Sequence, residues 1–309
     1  MKAGLYKWTG GVLAENGKIY GIPRDSDSVL IIDPTTNAAD TTTITGLTSG
    51  GAKWHEGVLA GNGKIYGIPH SSTSVLIINP VSNTTNTALM RGLTGGGKWA
   101  GGVLANNGKI YGIPRYSESV LIIDPISNTA DTTTMTGLSG SDKWERGVLA
   151  SDGKIYGMPR ASNAVLVINP ATNKATTAPA ITGVSSPWKW AGGVLAQNGK
   201  IYGMPDDTTS VLIFDPTTNR SDVTSITGLG GDGKWYGGML GVNGMIYGIP
   251  WRSASVLIID PTTNKADVTS ITGLSGHNKW SGGVMASNGN IYGIPQDSTS
   301  VLILKLDCQ

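Results

Sequence analysis

Cysteine is almost absent from this chain. The single copy, Cys308, is the penultimate residue, so no internal disulfide can brace the fold and the thiol says little about redox compartment. Charge is also sparse. Charged residues make up 14% of the 309 residues, the formal net charge is +2, and no Lys/Arg block occurs. The electrostatic footprint for a phosphate backbone is therefore missing, and nucleic acid is not an expected partner. No apolar run approaches the length of a membrane span, so no membrane partner is expected. The opening residues, Met1 to Trp8, lack the apolar stretch of a signal peptide. This points to a soluble cytoplasmic protein, and the case of a start Met standing in for a cleaved leader stays open. Gly-x-Ser-x-Gly, His-Glu-x-x-His and phosphate-loop patterns are all missing, which leaves catalysis unsupported and no cofactor expected.

What the chain does have is repetition. Lys-Trp recurs seven times, at Trp8, Trp54, Trp99, Trp144, Trp190, Trp235 and Trp280, with spacings of 46, 45, 45, 46, 45 and 45 residues. A period of this length with no helical pattern inside it predicts propeller blades. The expectation is an all-β, seven-bladed β-propeller of four-stranded antiparallel blades, filling residues 1–309 as one domain.

The first repeat shows how a blade is written. Gly11-Val12-Leu13-Ala14 reads as a short strand ended by Asn16-Gly17, a pair suited to a type I′ turn because both positions need positive φ. Lys18 to Ile22 reads as the second strand, stopped by Pro23, which has no N–H for a ladder. Ser28 to Ile32 reads as a third strand without polar alternation, so both its faces should be buried between stacked blades. Asp33-Pro34-Thr35-Thr36-Asn37 is a turn, and Asp40 to Thr45 reads as a polar outer strand. Small residues in the first strand fit a crowded axis.

The chain ends out of phase with the blade. Val301 to Leu304 is a third strand with little after it, whereas Ala3-Gly4-Leu5 aligns with the end of a fourth strand. Residues near Met1 to Leu5 are thus expected to complete or cover the last blade.

The order of an Asn-Gly hairpin, a Lys-Ile-Tyr strand, an apolar strand and Asp-Pro-x-Thr-Asn resembles the Kelch repeat. It is carried here by Asn16 to Tyr20 and Asp33 to Asn37 and by their counterparts in the first six repeats. Two hallmarks depart: Gly21-Ile22-Pro23 stands where Kelch has Gly-Gly, and Trp precedes the first strand instead of following Thr-Asn. The resemblance implies a Kelch-like, non-catalytic interaction platform, with enzymes such as the galactose oxidase type as a minority.

Topology sorts the loops onto two faces. The Asn-Gly and Asp-Pro turns lie on a nearly uniform face. The other face varies at three positions per blade. After the Pro stand Arg24, His70, Arg115, Arg160, Asp206, Trp251 and Gln296, followed by Asp25, Ser71, Tyr116, Ala161, Asp207, Arg252 and Asp297. After the Trp stand Thr9, His55, Ala100, Glu145, Ala191, Tyr236 and Ser281. Binding residues commonly sit on such loops, although drift on exposed loops would give the same variation. The expected function is recognition of a protein or peptide on this face.

Within the face, Trp188, Asp206, Asp207, Tyr236, Trp251 and Arg252 form the sharpest candidate patch, combining aromatics with charge. Arg24, His70, Arg115 and Arg160 are the further candidates. The seven Lys-Trp tryptophans are most simply inter-blade packing; the alternative is a multivalent lectin with a glycan at each. Glu56 and Arg146 replace the first Gly of Gly-Gly near the axis, and read either as a pair across the channel mouth or, more plainly, as two solvated charges. His55, His70 and Glu56 supply at most three metal ligands, from loops of unknown orientation, so no metal is expected.

Overall fold

The computed structural model describes residues 4–48 and 50–306. Seven antiparallel sheets are arranged around an axis. The first blade runs outward through β1 (Trp8–Leu13), β2 (Ile19–Pro23), β3 (Leu30–Asp33) and β4 (Ala38–Asp40). The inner strands of the next six blades are β5 (Trp54–Leu59), β9 (Trp99–Leu104), β13 (Trp144–Leu149), β17 (Trp190–Leu195), β21 (Trp235–Leu240) and β25 (Trp280–Met285). Six blades have four strands, and the last has three among the described residues, ending with β27 (Leu302–Leu304).

The apolar core lies between blades. Val12, Tyr20, Ile22 and Ile31 of the first blade pack with Trp54, Ile65, Leu76 and Ile78 of the second. Close packing needs the second Gly of each Gly-Gly: a Cβ on Gly11 would stand 2.6 Å from Ile294 Cδ1 of the preceding blade.

Lys-Trp is a clasp between blades. Every repeated Trp is 0–6% exposed. Its indole N–H donates to a backbone carbonyl 20 residues on, as Trp8 does to Ser28 O at 2.8 Å and Trp190 to Ser210 O at 2.9 Å. The neighbouring Lys reaches back to the preceding blade's loop. Lys98 Nζ donates to His70 O (3.1 Å), Ser72 O (2.9 Å) and Gly95 O (2.7 Å). Burial lowers this ammonium to about 8. No ring face is left for a sugar, so these tryptophans do not form the glycan platforms of the lectin alternative.

Of three local expectations, two are corrected and one lies partly outside the described residues. The fourth strand begins earlier than Asp40 and ends there, because the Asp40 carboxylate accepts the Thr42 and Thr43 amides and both their hydroxyls. Such side-chain bonds compete with a ladder, so Thr41 to Ile44 form bends instead. The closure expectation, on Met1 to Leu5, is described only from Gly4 onward. Met1 to Ala3 lie outside the described residues; beyond them, Tyr6 N donates to Asp297 Oδ1 (2.6 Å) and Lys7 N to Gln296 O (3.0 Å), while Leu5 is 70% exposed. Trp8 and Ile19 then pack against Val284, Tyr292 and Ile294, so the ring closes through an ordinary blade interface. Third, Glu56 and Arg146 are not two solvated charges, as the pocket floor below shows.

Candidate functional site

Each inner strand carries a bulge just after its Trp. In β1 the ladder slips between Trp8 and Gly11, and Gly10 adopts φ +66°. A bulge re-aims the neighbouring side chain. The residues after the Trp form a buried inner ring in which the polar members are Thr9, His55, Glu145, Tyr236 and Ser281. The residues after the strand-ending Pro form a second ring: Arg24, His70, Arg115, Arg160, Asp206, Trp251 and Gln296. The rings border a pocket of about 180 Å³ lined by Tyr6, Thr9, Arg24, His55, Arg115, Arg160, Tyr236, Trp251, Ser281 and Gln296.

Glu145 sits behind this wall with no solvent exposure. Its Oε1 is 3.0 Å from His55 Nε2 and accepts the Tyr236 hydroxyl. Nη1 of Arg115 and of Arg160 each lie 3.6 Å from its Oε2. Burial alone would raise this carboxyl, but His55, Arg115 and Arg160 outweigh it and hold Glu145 well below the usual range. Burial pushes His55 down despite Glu145, so its imidazole is neutral near pH 7, with Nε2–H the proton that faces Glu145. Burial, His55 and Arg115 lower His70 to about 3. Burial and then Glu145 raise Tyr236, which therefore keeps its proton.

Asp142 braces the two arginines, accepting from Arg115 Nε and, at 3.3 Å, from Arg160 Nε. Trp251 is fixed by its own N–H, which donates to Gln296 Oε1 at 2.8 Å, and its ring lies 5.5 Å from that of Tyr236. Beneath the pocket, Arg146 Nε lies 2.9 Å from Glu56 Oε1. Both residues occupy the left-handed region, at φ 61° and 64°, where the other five blades have Gly10, Gly101, Gly192, Gly237 and Gly282. The Arg146 guanidinium crosses the axis, 5.1 Å from the Tyr236 ring centroid, and a Cβ on Gly237 would collide with its Nη1. This ion pair plugs the floor.

The structure divides the sequence candidates. Arg24, Arg115, Arg160, Tyr236 and Trp251 line the pocket, while His70 and Asp206 belong to its ring from buried positions. Asp207 is an inter-blade latch, its Oδ1 accepting the Gly233 amide at 2.8 Å; Asp25 and Asp297 do the same for Ala52 and Tyr6. Trp188 is 45% exposed and lies 5.3 Å from Arg160 without lining the pocket. Arg252 lies over Trp251 and reaches Asn278 Oδ1 at 3.2 Å. The patch is therefore split between wall and rim.

Glu145 and Asp142 were missed as site residues. Asp142 belongs to a fourth variable position, two residues before each Trp, which reads Tyr6, Ala52, Gly97, Asp142, Trp188, Gly233 and Asn278. Comparing the repeats there would have found it. Among the described residues no three His, Cys, Asp or Glu side chains are placed to hold a metal ion.

Fold and site together define a seven-bladed β-propeller whose variable face opens on one pocket at the rotation axis. Residues 5–221 match the family described as a domain of unknown function, DUF5074, and the chain belongs to that family. No curated protein matches it in sequence. Among solved structures, it is similar to a streptogramin B lyase, with a TM-score of 0.79 and 14% identity over 99% of this chain and 96% of that one. It is likewise similar to a catalytically inactive virginiamycin B lyase from Staphylococcus aureus with quinupristin, at TM-score 0.78 and 11% identity over 97% and 95% of the two chains. The extracellular domain assigned to a one component system of B. thetaiotaomicron matches at TM-score 0.70 and 9% identity, over 97% of this chain and 41% of that chain.

Identities this low speak to fold alone. The two lyases nevertheless correct the expectation of a non-enzyme, which rested on missing motifs. A propeller of this form carries catalysis elsewhere, and a site assembled at an axis from separate blades leaves no local motif. The Kelch resemblance is likewise coarsened to the propeller fold.

Proposed function

We propose that the chain binds a ligand presenting a carboxylate, such as a peptide end, in the axial pocket. The observation that carries this reading is the composition of the wall: Arg24, Arg115, Arg160 and the Trp251 and Tyr236 rings line it, and no carboxylate does. Guanidinium forks suit planar carboxylates, and an adjacent aromatic suits an apolar neighbour group. The volume, about 180 Å³, equals roughly six waters at about 30 Å³ each. It admits one residue or a molecule of similar size, so a protein partner engages it by inserting a terminus.

Calorimetry with Ala-Ala-Xaa tripeptides, as free acids and as C-terminal amides, tests this. Free acids should bind and amides lose at least tenfold, and Arg24→Ala should weaken the acids by about 10- to 100-fold, in line with about 1.5–3 kcal/mol for a charge-assisted bond. Equal binding of acids and amides refutes the reading.

A second reading, proton-transfer catalysis in the same pocket, is supported by the His55–Glu145–Tyr236 cluster and by the lyases that share the fold. Deuterium incorporation from D2O into a bound ligand, lost in His55→Gln, is its test; no incorporation into any binding peptide ends it.

A further inference from the structure

Asp206 is 1% exposed, yet neither of its carboxylate oxygens has a hydrogen-bond partner. The nearest cation is Arg160, whose Nη1 lies 3.6 Å from Asp206 Oδ2 and 3.6 Å from Glu145 Oε2. That Nη1 also lacks a hydrogen bond, whereas Nε of the same guanidinium is held by Asp142 at 3.3 Å. One free donor of a pocket-lining arginine thus hangs between two buried carboxylates, bonded to neither. Of the two, Glu145 is engaged by His55 and Tyr236, and Asp206 is not.

We propose that Asp206 competes with the ligand's carboxylate for the Arg160 guanidinium, so that tight binding requires Asp206 to carry a proton and ligand binding takes one up. The inference rests on the carboxylate reading of the pocket. When Asp206 is ionised, Arg160 is drawn toward it and the ligand meets a nearby negative charge. Protonation removes that charge and lets the guanidinium, whose Nη1 is buried between the two carboxylates, turn toward the ligand.

The groups facing Asp206 come from several blades. Arg160 lies on one side. Lys234 donates Nζ to Asp206 O at 2.7 Å from the next blade, with Asp207 adjacent in sequence and Glu145 across the pocket wall. Burial, opposed by Arg160 and reinforced by Asp207 and Glu145, puts the carboxyl at about 7. Both protonation states are therefore populated near neutrality. A bound carboxylate adds another negative neighbour and shifts the balance toward the proton. His55 and His70 are held neutral at this pH.

The test is calorimetry on the full chain, using the tightest free-acid tripeptide from the Ala-Ala-Xaa panel. It is run at pH 6, 7 and 8 in two buffers of different ionisation enthalpy. Wild type should take up close to one proton per peptide at pH 8, and its affinity should fall toward tenfold per pH unit above 7. In Asp206→Asn both the uptake and the slope between pH 6 and 8 should vanish. Asp206→Ala serves as the second variant, and the wild-type proton count stands without either. Free-acid peptides that bind with no proton uptake, or a slope that survives in a folded Asp206 variant, overturn the gating. Loss of the difference between acid and amide instead overturns the carboxylate reading beneath it.

Discussion

The plug under the pocket offers a double-mutant cycle whose outcome is set by two opposed costs. Glu56 and Arg146 each hold a left-handed backbone, at φ 64° and 61°, where five blades place Gly. A non-Gly residue there costs about 1–2 kcal/mol. Their side chains are only 19% and 10% exposed, so removing one partner strands a mostly buried charge, at about 3–5 kcal/mol. Glu56→Gly or Arg146→Gly alone should therefore lose about 2–3 kcal/mol, strain relief offsetting part of the damage. The double variant strands nothing and relieves strain twice. It should fall within about 1 kcal/mol of wild type, where additivity predicts a loss of about 4–6. Urea unfolding followed by tryptophan fluorescence measures all four proteins. A double variant as unstable as the sum of the singles would falsify the reasoning, because the charges would then not be coupled.

Other outcomes follow from the same geometry. Trp190→Phe keeps most of the ring but orphans Ser210 O, for a loss of about 1–3 kcal/mol, and Trp190→Ala should lose about 3–5; both are read from denaturant midpoints. His70 stands at about 3 in the fold against an ordinary 6.5, so the unfolded chain takes the proton first and stability drains as pH falls from 6.5 toward 3. Between pH 6.5 and 5 that contribution is about 2 kcal/mol, and His70→Gln should lose correspondingly less stability over this interval. Asp206 works in the opposite sense. Its carboxyl is raised from 3.8 to about 7, so its contribution is intact below pH 3.8 and lost as pH rises through 7. Asp206→Asn should gain stability relative to wild type at pH 8 and not at pH 4; equal unfolding midpoints at pH 8 would count against the buried charge. Lys98→Met leaves the Ser72 and Gly95 carbonyls without their side-chain donor, while His70 O keeps the residue 98 amide, and should cost about 1–3 kcal/mol, checked by thermal melting.

Blade number and strand order were legible because the repeat states them seven times and each turn residue has a local physical reason. The variable positions after Pro and after Trp include Arg24, Arg160 and Trp251, which line the pocket. What could not be read was their meeting. Glu145 and Tyr236 touch across 91 residues, and Tyr236 comes to His55 across 181, because ring closure carries alternate blades to one axis. An acid at a variable loop position reads as solvated until that closure buries it. The bulge after each Trp was equally hidden, being a backbone event that Gly-Gly permits without announcing. Reading neighbouring blades as one patch went astray for the same reason: the latch at Asp207 and the rim stacks at Trp188 and Arg252 depend on which way each loop turns.

The lysine clasps give the molecule a separation of duties. Lys98, Lys143, Lys189, Lys234 and Lys279 donate to the main-chain carbonyls of His70, Arg115, Arg160, Asp206 and Trp251. These are the residues whose side chains differ from blade to blade. A carbonyl is the same acceptor whatever side chain it carries, so the joint holds equally over a base, an acid or an indole. The letters around the pocket can be rewritten one blade at a time without renegotiating the frame. Because the pocket lies on the axis, copying the unit adds walls to a single chamber, and sequence drift among the copies diversifies the chemistry of that one wall.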